Sequence, residues 1–234
     1  IGEIILVVIG ILIALQVNNW NELRKDKKQE IYVLEQLYQE FKSDSIQLDR
    51  FIMLTSNKAE DGKLLRKAIL NNKKLSRDTL AFNAFFNGRI VLFESFTPTF
   101  DELLASGSLK LISNETLKNE IRAFKQDLLT DETFSYYEKQ QIKKDYNLHL
   151  YQYFEPEIMT YLWKNAPKGM VSLDSLNTYS MNIEGFYKDP KTIFHINNSI
   201  GVDSELSWKY KDRAMIRLAS ILRNLKEEID KYHD

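Results

Sequence analysis

The chain has 234 residues, enough for one domain with an appendage, and its 44% hydrophobic and 28% charged residues exclude intrinsic disorder. Eight Gly and four Pro supply too few turns for a β-sandwich or barrel, and predict long helices. A net charge of −1 offers no field for a polyanion, so no nucleic-acid partner is expected; without Cys, disulfide scaffolds, thiol catalysis and Cys-based metal sites are excluded.

Residues Ile1 to Val17 read IGEIILVVIGILIALQV, in which only Glu3 and Gln16 are polar. A membrane-spanning helix needs about 20 apolar residues, with a lower limit near 17, so the run predicts a transmembrane helix over residues 1–20. It begins without a methionine, which predicts that upstream residues precede it. Trp20 follows where aromatic side chains anchor at the membrane interface. Glu3 is costly in hydrocarbon and is expected near the headgroups, or in a contact between copies. Gly10 and Ala14 form a small-xxx-small pair that lets helix backbones approach closely. Glu3, Gly10 and Val17 share one face at a seven-residue spacing, so this face is the expected site of self-association. Arg24, Lys25, Lys27 and Lys28 would, by the positive-inside rule, place the following residues in the cytoplasm.

The span is expected to continue into a helix ending near Thr55, with the stripe Ile31, Leu34, Tyr38, Phe41, Leu48 and Ile52. A second helix is predicted from Lys58 to Asn71. A third, capped by Ser76 or Asp78, holds Leu80, Phe82, Phe85 and Phe86. Phe93 to Pro98 reads as a loop. Thr99 then caps a short helix with Glu102 in a capping box, and Gly107 supplies a left-handed stop. Asn114 or Ser113 opens a helix free of Gly and Pro as far as Glu155, marked by Leu117, Ile121, Phe124 and Leu128. Pro156 kinks or ends it, and Glu157 to Lys164 resumes it. Residues 165–189, with Pro167, Gly169 and Gly185, read as mostly irregular. Asp189 before Pro190 caps a helix to about Asn198. Asp203 is the expected cap of the last helix, whose stripe is Ala214, Leu218, Ile221, Leu225, Ile229 and Tyr232. The fold class is thus all-α: one N-terminal transmembrane helix leading into a bundle of long antiparallel helices over residues 21–234.

A search for chemistry finds no site. His149, His195 and His233 form no i, i+3 or i, i+4 pair, and no nucleophile elbow, phosphate loop or dinucleotide fingerprint occurs. The ferritin-like Glu-x-x-His pattern is absent. Glu94, Asp101 and Glu102 could form an acid/base set only at a separation that sequence does not show. The aromatic run Tyr136, Tyr137, Tyr146, Tyr151, Tyr153 and Phe154 is expected to fill the core and its tip, although tyrosines also stack on sugars or serve as contact hot spots. No catalytic residue, cofactor or metal is expected.

Two stretches carry a resemblance. GEIILVVIGILIALQVNNWNE (Gly2 to Glu22) resembles the opening of an uncharacterised, domain-of-unknown-function family of Gram-negative bacterial single-pass membrane proteins. TFDELLASGSLKLISNETLKNEI (Thr99 to Ile121) is similar to that family's second signature, matched here by Phe100, Glu102, Leu103, Ser106, Gly107, Leu109, Ile112 and Asn114. The resemblance implies a short cytoplasmic N-terminus, the span, and then a helical domain outside the cytoplasm, against the basic flank at 24–28. From the residues themselves, Thr99, Glu102, Ser106, Gly107 and Asn114 read as a corner between helices or a partner-docking corner. Asp44-Ser45-Ile46, Asp78-Thr79-Leu80 and Asp174-Ser175-Leu176 resemble a short periplasmic O-glycosylation sequence. The type IV pilin opening is absent.

The expected function is a membrane-anchored interaction or scaffold protein of the bacterial inner membrane, its main domain periplasmic. Its expected partners are membrane lipid and either other envelope proteins or copies of itself. The alternatives are a ligand-sensing helical domain at the membrane and an enzyme whose site is assembled from distant residues.

Overall fold

The computed structural model describes residues 2–130, 136–166 and 171–232, with the N-terminal side chains described from Val8 onward. All its regular elements are helical. They are α1 (Gly2–Leu70), α2 (Arg77–Gly88), α3 (Pro98–Ala105), a 3₁₀ turn (Ser108–Leu111), α4 (Glu115–Thr130), α5 (Tyr136–Leu150), α6 (Pro156–Asn165), α7 (Leu173–Asn177), α8 (Ile183–Lys188), α9 (Pro190–Lys209), a π-helical turn (Tyr210–Ala214) and α10 (Met215–Asp230). The chain is all-α, as its Gly- and Pro-poor composition predicts. Among the described residues, no helix is long and apolar enough to cross a membrane. The apolar stretch with described side chains runs only from Val8 to Val17.

Two compact units form, each from three or two separate stretches of chain. The first comprises Ile1–Ile46, Ser95–Lys125 and Arg217–Asp234; the second comprises Gln47–Glu94 and Gln126–Ile216.

The core of the first unit draws on the stripes read from sequence, joined by Leu37, Phe100 and Leu103, while Ile31, Tyr38 and Ile229 are only partly buried. Leu34, Leu37 and Phe41 of α1, Phe100 and Leu103 of α3, Leu117, Ile121 and Phe124 of α4, and Leu218, Ile221 and Leu225 of α10 are all buried. Phe41 and Phe124 meet edge to face at 6.0 Å, the favoured geometry for an aromatic pair. Gly107 has φ +69°, in the left-handed region, and turns the chain from α3 into the 3₁₀ turn. Asn114 caps α4: its Oδ1 accepts the Leu117 N–H at 3.0 Å.

The second unit packs its core around Leu65 and Ile69 of α1, Leu80 and Ala84 of α2, Tyr146 and Leu150 of α5, Ile158 and Leu162 of α6, Phe186 of α8 and Ile196 of α9. Gly62 permits a close approach of α1 to its neighbours. A Cβ there would lie 2.7 Å from Ile200 Cγ1 and 2.9 Å from Asn87 Oδ1.

Several boundaries differ from the sequence reading. α1 does not stop at Thr55 but runs on through Gly62 to Leu70, absorbing the helix expected from Lys58 to Asn71; the Thr55 hydroxyl donates back to the Phe51 carbonyl at 3.0 Å. The helix expected from Asn114 to Glu155 is two helices, α4 and α5, with residues 131–135 between them lying outside the described set. Residues 165–189 are not wholly irregular: they hold α7 and α8, and Asn182 caps α8 by accepting the Gly185 N–H at 2.9 Å. Pro167 and Gly169 lie outside the described residues. Asp189 caps α9 as predicted, accepting the Lys191 N–H, but α9 runs on to Lys209 rather than ending near Asn198.

Replacing Gly107 by Ala forces a Cβ into the left-handed region. Gly107→Ala is expected to destabilise the chain by about 1 kcal/mol in urea denaturation, with the helical circular dichroism of the folded state unchanged.

Candidate functional site

The signature corner of the first unit is held by carboxylates of α1 as well as by its own Gly107 and Asn114. Pro98 occupies the first turn of α3 and Thr97 precedes it without a side-chain cap. Thr99 is therefore inside the helix, and its N–H and hydroxyl both go to Glu40, the hydroxyl at 2.6 Å. The capping box expected from Thr99 and Glu102 does not form, and Glu102 is exposed. Four residues on from Glu40, one helical turn, Asp44 accepts the Ser95 hydroxyl at 2.5 Å and the Phe96 N–H at 3.0 Å. Asp44 is fully buried, and burial raises its pKa. Glu30 accepts the Ser113 N–H at 2.5 Å and the Tyr232 hydroxyl at 2.7 Å. Burial, with that carboxylate acting in the same sense, pushes the Tyr232 phenol up to about 12. Asn114 also donates to Glu228 at 2.6 Å, and Lys125 pairs with Asp101 at 3.2 Å. Ser106 is exposed and its hydroxyl turns back to the Leu103 carbonyl at 3.4 Å. The corner is thus a structural clamp whose outer edge, Glu102, Leu104 and Ser106, faces solvent.

Near the N-terminus, Gly10 and Ala14 are exposed, and a Cβ at Gly10 would meet nothing within 4 Å. Glu3 lies outside the described side chains. Trp20 is 61% exposed, with the Arg24 guanidinium 5.8 Å from its ring.

The second unit contains a site that the sequence reading missed. Asp203, expected to cap a helix, sits inside α9 and is fully buried. Its carboxylate takes the Lys58 ammonium at 2.9 Å and the Lys143 ammonium at 2.7 Å. Lys143 also donates to the Asn87 carbonyl at 2.7 Å and to the Ser199 hydroxyl at 2.6 Å; Ser199 passes a hydrogen bond on to the Asn87 carbonyl at 2.5 Å. Lys58 further donates to the Arg89 carbonyl. One network therefore ties α1, α2, α5 and α9. Two cations share one anion away from water, so the electrostatics are unbalanced. Burial, helped by the neighbouring Lys58 charge and opposed by Asp203, pushes the Lys143 ammonium down to about 7. Burial lowers Lys58 too, again against the pull of Asp203. The Tyr146 hydroxyl beneath this network is buried without a hydrogen-bond partner, and burial raises its pKa.

Each of these charges lies on an apolar stripe: Phe51, Thr55, Lys58 and Leu65 on α1; Lys143, Tyr146 and Leu150 on α5; Ile196, Ile200, Asp203 and Leu206 on α9. A charge in phase with a buried face is the signal that could have found them.

Above Lys143 opens a cleft of about 820 Å³. Its lining includes Arg89 at the end of α2, Gln140, Lys143, Lys144 and Asn147 of α5, and Trp163 of α6. Arg89 stacks on Trp163 at 4.4 Å. The tyrosine run is divided: Tyr146 and Phe154 are core, whereas Tyr137 and Tyr151 are exposed along the cleft. His149 and His195 stack at 4.7 Å, and His149 Nε2 meets the Thr192 hydroxyl at 2.8 Å, so both take part in packing. Among the described residues, no group of three or more His, Asp or Glu is placed to hold a metal ion; His233 lies outside them.

The molecule is an all-helical protein with a clamped helix corner and a cationic cleft. Residues 3–123 match the family of unknown function DUF6090, and the chain belongs to that family. No curated protein and no solved structure matches it. The matched stretch includes the whole signature corner up to α4, together with Lys58, Asn87 and Arg89; Lys143, Trp163 and Asp203 come from beyond it.

The depressed Lys143 sets a pH dependence. Its ordinary value in the unfolded chain is about 10.4, so between pH 7 and 10 the unfolded state binds more protons than the folded one. Stability therefore rises with pH over that window. The urea midpoint is expected to be higher at pH 9 than at pH 7, and Lys143→Met is expected to flatten that rise, leaving only the smaller part due to Lys58.

Proposed function

We propose that this chain is a membrane-anchored helical interaction protein of the bacterial cell envelope, its apolar N-terminal helix in the inner membrane and its main domain in the periplasm. One observation carries the anchor. Val8, Ile9, Ile11, Leu12, Ile13, Leu15 and Val17 are each about half exposed, between 49% and 56%. At 100° per residue they point to all sides of the helix, so a partner helix packed along one stripe would leave the others in water. Burying such a side chain fully is worth about 1.5–3 kcal/mol. Because each is only about half exposed, the seven together have roughly 5–10 kcal/mol still to gain, comparable to a typical folding stability of about 5–15 kcal/mol. A solvent that is apolar in every direction fits this helix, and residues 1–7 continue the run in sequence. Trp20, exposed beside Arg24, suits the headgroup level. The periplasmic side is supported by the likeness of Gly2 to Glu22 to a family with that topology. The envelope partner is supported by Phe96 and Leu104, left uncovered beside the signature corner.

A second reading, a ligand-binding domain held at the membrane, is favoured by the open cleft above Lys143.

Two experiments test the anchor. After alkaline carbonate extraction of native membranes the full chain is expected in the pellet, and the double variant Leu12→Lys, Ile13→Lys in the supernatant; wild-type chain in the supernatant would end the reading. Self-association through the small residues predicts that Gly10→Leu lowers the crosslinked dimer yield in membranes, and an undiminished yield would remove that contact.

A further inference from the structure

The cleft of the second unit has a lopsided charge. Among the described residues its lining carries three cations, Arg89, Lys143 and Lys144, and no carboxylate. Asp203 already holds the Lys143 charge from within. Arg89 has no carboxylate partner among the described residues. Its guanidinium is held by ring faces instead: Trp163 at 4.4 Å, Phe86 at 5.6 Å and Phe85 at 5.7 Å. Its Nε is buried with no hydrogen-bond partner. A partly desolvated guanidinium left unpaired is costly, and a carboxylate or phosphate that accepts two of its N–H bonds removes that cost. Of the acids on α5, Asp145 is hydrogen-bonded to Gln141 at 2.6 Å, and neither it nor Glu138 lines the cleft.

The rest of the lining combines aromatic and aliphatic surface with a few neutral polar groups. Tyr137 is 70% exposed and Trp163 60% exposed, unusual values for such large rings in a folded domain. Met159 and Leu148 add apolar surface, and Gln140, Asn147 and Thr160 offer polar groups. A volume of about 820 Å³ lies in the range of sites for small organic ligands, about 300–1,000 Å³.

We propose that this cleft binds a small organic anion, a carboxylate or phosphate ester carrying a flat apolar group, with the anion on Arg89 and Lys144 and the flat group against Tyr137, Tyr151 and Trp163. The proposal deepens the ligand-binding reading above and does not depend on the anchor. Lys58 has a supporting part: by donating to the Arg89 carbonyl it fixes the backbone from which the guanidinium extends.

The test is calorimetric titration of the full chain in nonionic detergent, with a micelle-only blank. The probes are 1-naphthyl phosphate, 1-naphthylacetate and the uncharged 2-(1-naphthyl)ethanol. One saturable site per chain is expected for at least one anion, about tenfold or more tighter than the alcohol, and the tighter anion tells phosphate from carboxylate. Arg89→Gln is expected to remove that preference while leaving the alcohol unchanged. Lys144→Gln, at an exposed position that folding does not need, is expected to weaken the anions by a smaller factor. Equal binding of all three probes would overturn the anion assignment and leave the ligand-binding reading standing. No binding of any probe would overturn both. Anion binding undiminished in Lys144→Gln and in a folded Arg89→Gln would overturn the site.

Discussion

Two ammonium groups share a single carboxylate in the interior of the second unit, and much of that unit is arranged to tolerate this. Lys58, Lys143 and Asp203 are separated by 85 and 60 positions in the chain, yet they meet within hydrogen-bond distance. Removing two cations and an anion from water is costly. The cost is offset only because Ser199 and the carbonyls of Asn87 and Arg89 accept the remaining N–H bonds. Those acceptors fix where α2 ends and how α5 and α9 lie against it. The same placement positions Arg89 and sets Lys143 as the floor of the cleft. The buried charge network and the lining of the cleft are therefore one constraint rather than two.

What was legible in the sequence is the apolar periodicity and the local caps. Leu34, Phe41, Leu117, Ile121, Phe124, Leu218, Ile221 and Leu225 were readable because helical spacing depends only on near neighbours. Asn114, Asp189 and Gly107 were readable for the same reason, since each acts on backbone two or three residues away or on its own φ. The misreadings share the opposite cause. Thr99 looks like a cap until Glu40, 59 positions earlier, is seen to take its bonds. Asp203 looks like a cap until two distant lysines claim it. The edges of the stretch 165–189 were visible, at Lys164 and at the Asp189 cap, but α7 and α8 inside it were not, because they have five and six residues, too few to show a period.

Net charge is a coarser reading than either periodicity or caps. With 32 basic and 33 acidic residues the chain is close to neutral, which argues against a polyanion partner. A sum over 234 positions does not describe the surface of one cleft. Arg89, Lys143 and Lys144 converge there while the balancing acids pair elsewhere, Asp101 with Lys125 and Glu205 with Lys139, for instance. Small-molecule recognition is governed by the local field, because the Debye length at physiological salt is about 8 Å.

The first unit draws its wall of Leu218, Ile221 and Leu225 from α10, while α1 is made first. During synthesis at about 5–20 residues per second, the faces of α1, α3 and α4 emerge well before their closing partner. For that interval Leu34, Phe41, Ile121 and Phe124 form an incomplete apolar surface on the nascent chain. This unit can only shut after translation has passed Leu225, so a ribosome stalled anywhere earlier presents a chain that needs shielding from its neighbours.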